Sequence, residues 1–169
     1  MTREEITKVT SVVAKIKEAH ANLVSAVADI PDDVITSRPV IDWWTLKDML
    51  GHIAMWQRVA IKFIDEYQRA GAPTPLGLDD AALDAYNKRG AAERRDYALA
   101  RVRAEFDAAS RDLVVAVERL TDAQLNAPLA APWDNGVTLE RLIAWNSYEH
   151  VPEHIEQIAK WQNERAAQH

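Results

Sequence analysis

Four of the five histidines, His20, His52, His150 and His154, fall on lines otherwise held by apolar residues; the fifth is the terminal His169. His150 and His154 are four residues apart, which on a helix sets their Cβ atoms about 5–6 Å apart on one face. Ile143 and Ile158 lie along the same line, so the pair should point inward. His52 sits between Met49 and Trp56 on a second apolar line. Three imidazoles on two helices can grip one ion through N–metal bonds of about 2.0–2.1 Å and leave a coordination position open, the pattern of catalytic rather than structural zinc. Without an ion, each buried unpaired polar group costs about 1–3 kcal/mol. The competing reading gives each histidine a local hydrogen-bond partner such as Asp48, Glu149 or Glu153. The chain has no cysteine, so a metal here takes nitrogen and oxygen ligands only.

Other residues could serve the same chemistry. Asp48, one turn before His52, could orient its imidazole or cap its helix. Trp43, Trp56, Asn87, Asn146 and Trp133 are candidate pocket walls, although core packing is the ordinary role of a tryptophan. Glu149 and Glu153 are candidate bases or solvated surface charges. His20, on a stripe of the first helix, reads as a core or boundary histidine, or else as a group supporting the site or an occasional fourth ligand. Pro152 cannot donate to the carbonyl of Tyr148 and crowds it, so the helix should kink or bulge there.

Four amphipathic segments must position these groups. The first opens on a Thr2–Glu5 capping box and carries Ile6, Val9, Val13, Ile16, Leu23, Val27 and Ile30 at helical spacing. After a loop through Arg38, Pro39 and Val40, Thr45 caps a second helix with a broad apolar surface, closed by Gly71, Pro73 and Pro75. A third helix begins near Asp79–Asp80 and is regular from Leu99 to Leu120, with a bend or a frayed stretch expected at Gly90. Residues 122–135 read as loop, and Thr138 caps a fourth helix. No segment alternates with period two. The expected fold is all-α: a four-helix bundle, up-down-up-down or with one longer crossover, forming one domain over 1–169 with a mobile tail at 165–169.

The bulk numbers narrow the function. A net charge of −6 argues against a nucleic-acid or basic membrane-surface partner. The polar N-terminus is unlike a signal peptide and no apolar run approaches a membrane span, which makes the cytoplasm the default location.

The stretch Trp44-Thr-Leu-Lys-Asp-Met-Leu-Gly-His52-Ile-Ala-Met-Trp56 resembles the second-helix motif of the DinB/YfiT-like superfamily, and His150-Val-Pro-Glu-His154 resembles its fourth-helix HxxxH motif. Leu83-Asp-Ala-Tyr-Asn87 and Ile158-Ala-Lys-Trp161 are closer to the DfsB/ClbS-like subgroup. The resemblance spans nearly the whole chain. It implies a four-helix bundle, often a homodimer, with a divalent ion, commonly zinc or nickel, on His52, His150 and His154. Some members are transferases that use a small-molecule thiol and others are assigned as hydrolases. The ClbS-like branch includes a protein that protects its host by hydrolysing a reactive genotoxin without a metal. Three functions therefore compete: a metal-dependent enzyme acting on a small molecule, a metal-independent hydrolase or sequestering protein, and a non-enzymatic dimeric helical module.

Overall fold

A computed structural model describes residues 7–133 and 136–167. The Thr2–Glu5 capping box, Ile6 and His169 lie outside the described residues. The chain runs α1 (Lys8–Val27), α2 (Asp32–Ser37), β1 (Pro39–Ile41), β2 (Trp44–Thr45), α3 (Leu46–Ala70), α4 (Asp80–Glu93), α5 (Leu99–Glu118), α6 (Asp122–Asn126), α7 (Leu139–Trp145) and α8 (Val151–Ala166). The fold is all-α apart from the β1–β2 hairpin. α3 packs along α5, α1 packs on α5 and α8, and α4 and α7 lie against α3. The helical stripes meet in the core: Ile16, Leu23, Ile53, Ile64, Phe106, Leu113, Leu139 and Ile158 are at most 1 % exposed.

The hairpin replaces an expected loop. Pro39 lies opposite Thr45 and Ile41 opposite Trp44. Strands this short carry no readable alternation. Asp42 turns the corner at φ 49°, a left-handed conformation that a short polar side chain tolerates.

Thr45 begins α3 as expected. Its hydroxyl accepts from the Asp48 backbone N–H at 3.2 Å, while Asp48 Oδ2 accepts from the Thr45 N–H at 2.9 Å and from its hydroxyl at 2.7 Å. Asp48→Ala should therefore cost about 1 kcal/mol of stability, the usual loss for a helix cap. Urea unfolding of the variant checks the value, and an unchanged stability would refute the capping role.

The expected third helix is two. The break falls at residues 94–98 rather than at Gly90, because Lys47 Nζ donates to the carbonyls of Arg95 (2.7 Å) and Tyr97 (3.1 Å) and holds that turn against the start of α3. Gly90 instead permits close approach: a Cβ there would stand 2.4 Å from Met55 Sδ. The stretch 122–135 also departs from a plain loop, since α6 forms in it behind a Thr121–Gln124 capping box.

The fourth helix is interrupted rather than kinked. Asn146 Nδ2 donates to Leu142 O (2.7 Å) and Ser147 Oγ to Ile143 O (2.5 Å), so side chains take up the carbonyls near the end of α7. Pro152 then falls in the first turn of α8, where a missing N–H costs nothing. The expected tail at 165–169 begins inside a helix, because α8 continues to Ala166.

Candidate metal centre

Two elements bring the histidines together. His52 projects from the second turn of α3, His150 is the residue preceding α8, and His154 lies in the first turn of α8. The interruption between α7 and α8 thus sets the position of His150. His52 and His154 are buried, 8 % and 9 % exposed, and His150 is half-buried.

Their Nε2 atoms face one another. His150 Nε2 is 3.1 Å from His52 Nε2 and 3.0 Å from His154 Nε2. Nitrogens bound tetrahedrally to one zinc at about 2.0–2.1 Å are about 3.3–3.4 Å apart, so little movement separates this arrangement from coordination.

Hydrogen bonding alone cannot satisfy it. His154 Nδ1 lies 2.9 Å from Gln157 Oε1, an amide oxygen that only accepts. His154 therefore carries its proton on Nδ1 and presents a bare Nε2. A proton on His150 Nε2 can serve His154 or His52, not both. If His52 donates to His150 instead, two lone pairs face each other across the 3.0 Å contact between His150 and His154. His52 Nδ1 is also buried with no partner. A cation shared by the three Nε2 atoms removes the conflict, so the residues present fit a divalent ion.

Burial is the main reason all three imidazoles resist protonation. It pushes His52 down to about 3, with the neighbouring His150 and His154 adding to the effect. It pushes His150 down to about 4, assisted by His154. His154 is also lowered by burial, while the Gln157 hydrogen bond and Glu153 oppose the shift. Free histidine titrates near 6.5, so below that pH the unfolded chain binds protons that the folded chain refuses. Metal-free protein should lose stability as pH falls from about 6.5 toward 4. Denaturant midpoints across that range should fall less steeply for His52→Phe than for wild type; equal slopes would contradict the assignment.

Aromatic groups wall the site. Trp44 meets the His52 ring edge-on at 5.0 Å, and Trp56 stands 6.3 Å from His52 and 6.5 Å from His150. Trp56 Nε1 donates to Asn87 Oδ1 at 3.1 Å, and Tyr86 lies 5.5 Å from the Trp56 ring. Other expected groups lie elsewhere. Asp48 is bonded into the α3 cap, and its carboxylate makes no bond to His52. His20 Nε2 is bonded to Asp107 Oδ1 at 2.8 Å, and its ring stacks on Phe106 between α1 and α5. Asn146 back-bonds its own helix. Trp133 donates to Pro73 O and packs on Phe63. Trp43 is 42 % exposed and meets Trp44 rather than a histidine. Glu149 is held by Arg141 at the surface, and Glu153 is exposed.

Three participants escaped the sequence reading. Gln157 had a signal, its i+3 spacing from His154. Trp44 and Tyr86 stand inside the stretches that carry the family resemblance, but a hairpin and a separate helix bring them to the site.

The family model described as the DinB superfamily matches residues 15–158. The chain belongs to the DinB superfamily. No protein of curated function matches it in sequence. Among solved structures, the sibling lethal factor precursor DfsB superposes with a TM-score of 0.78 at 20 % identity, over 96 % of this chain and 98 % of that one. The colibactin self-resistance protein ClbS, in complex with a dsDNA, gives 0.76 at 14 % identity over 95 % and 98 %. A mycothiol-dependent maleylpyruvate isomerase gives 0.65 at 13 % identity over 94 % of this chain and 63 % of that one. These DinB-like neighbours establish the fold. ClbS was solved with a dsDNA, which does not fit the exclusion of nucleic acid that net charge suggested. No helix among the described residues is long and apolar enough to cross a membrane.

Proposed function

We propose that this DinB-superfamily protein is a metal-dependent enzyme, a hydrolase or a thiol-dependent transferase, acting on a small molecule at the three-imidazole site. The observation that carries the reading is the convergence of three Nε2 atoms at 3.0–3.1 Å steps in a set that protons alone cannot satisfy. His52, His150 and His154 would hold the ion, zinc or nickel by the family resemblance. When bound, it supplies Lewis acidity toward a water, a thiol or a carbonyl.

The protein's own groups do the rest. Burial keeps the imidazoles neutral and their lone pairs free. Trp44 and Trp56 restrict water around His52 and offer an apolar wall to the substrate. Asn87, fixed through its oxygen by Trp56, keeps both amide protons for a ligand acceptor. A small-molecule thiol as cosubstrate, a homodimeric state and a cytoplasmic location belong to the same reading.

Similarity to ClbS and DfsB favours a second reading, a metal-independent hydrolase or sequestering protein acting on a reactive small molecule. Its difficulty is the base: Asp48 is held in a helix cap and Glu149 by Arg141. A panel of activated esters and electrophiles, with and without a small thiol, separates the two. The metal-dependent reading expects turnover to vanish on chelation and in His150→Ala. Activity that survives both treatments would support the second reading.

A further inference from the structure

The three imidazoles are held in three different ways. His52 is wedged between Trp44 and Trp56, with its Nδ1 unpartnered. His150 is placed by the backbone at the start of α8. His154 has its outer nitrogen tied to a side chain, Gln157 Oε1, at 2.9 Å.

We propose that Gln157 is a positioning residue that locks His154 as its Nδ1–H tautomer and so aims a lone pair from Nε2 into the three-imidazole site. Neutral imidazole has one proton for two nitrogens, and the hydrogen bond at one decides what the other offers. Gln157 is one turn after His154 on α8, close enough to hold the ring without distorting the helix. Gln157 also lines a cavity of about 160 Å³ with Val40, Ile41, Lys160, Trp161 and Glu164, between the hairpin and α8. That space lets position 157 change without repacking the core. The choice of an amide also has consequences. A carboxylate would draw the Nδ1 proton more strongly and make Nε2 a better donor, whereas an amide holds the tautomer and leaves the imidazole neutral.

The proposal rests on the metal reading for its purpose but not for its test. Nitrogen-15 NMR of metal-free protein at pH 7.5 reads the tautomer of His154 directly. Wild type and Gln157→Glu should show the proton on Nδ1, and Gln157→Leu should shift it toward Nε2. The same tautomer in Gln157→Leu as in wild type would overturn the proposal, whatever the protein does with metals. Zinc titration is the second arm. Gln157→Leu should bind zinc about 10–100-fold more weakly with its metal-free melting temperature lowered by only a few degrees, and Gln157→Glu at least as tightly as wild type. Equal weakening in the Leu and Glu variants would show that an acceptor at position 157 is not what supports zinc binding, and would also overturn it. A wild type that binds no zinc while its tautomer still depends on Gln157 would sink the metal reading alone.

Discussion

Zinc at a hundredfold excess over its dissociation constant should raise the melting temperature of metal-free wild-type protein by about 5–10 °C and leave His154→Ala unmoved. A ligand that binds only the folded state stabilises it by about 2.7 kcal/mol at that excess. In a chain of this size each kcal/mol is worth about 2–4 °C. The gain requires a site already assembled in the fold, and this one is: the three Nε2 atoms stand 3.0–3.1 Å apart in sequence from His52 through His150 to His154. Removing His154 leaves two ligands, and the coupling to folding should disappear with the third. Differential scanning calorimetry with and without zinc is the check. An equal rise in His154→Ala would place the binding elsewhere.

Phe106→Ala should cost about 3–5 kcal/mol, whereas His20→Ala should cost about 1 kcal/mol or less. Phe106 is 1 % exposed in the packing of α5 against α3 and α1, and truncating a buried aromatic loses its transfer energy and leaves a cavity. His20 stacks on the same ring at 4.7 Å, but its hydrogen bond goes to Asp107, whose side chain is 57 % exposed, and pairs in that setting contribute little. Urea unfolding of both variants measures the difference. Neither change should alter zinc affinity, since His20 and Phe106 lie outside the three-imidazole group. A loss of affinity in His20→Ala would return that residue to the site.

The stripes were legible because burial imposes the helical period directly: Ile16, Leu23, Ile53, Leu113 and Ile158 are where the spacing puts them. The places where helices stop were not. Lys47 breaks the third segment by reaching across to Arg95 and Tyr97, and Asn146 with Ser147 ends the fourth by turning back on it. The Lys47 bonds join residues far apart in sequence, and the Asn146 and Ser147 bonds depend on side-chain rotamers. The same limit applied around the histidines. Spacing brought His150 and His154 together and set His52 on an inward line, yet whether Asp48 would face its cap or His52 rested on a side-chain torsion. His20 occupies a stripe position as well, but near the edge of the stripe, where a polar ring can reach Asp107. Net charge is weak ground for another reason: a sum over the chain says nothing about the face a partner would meet.

The metal content of untagged protein, wild type beside His154→Ala, tests the central claim most directly. Elemental analysis of protein purified without chelator should find about one zinc or nickel per wild-type chain and little in the variant. Metal-free wild type that also takes up neither ion on dialysis would contradict a metal centre built on His52, His150 and His154.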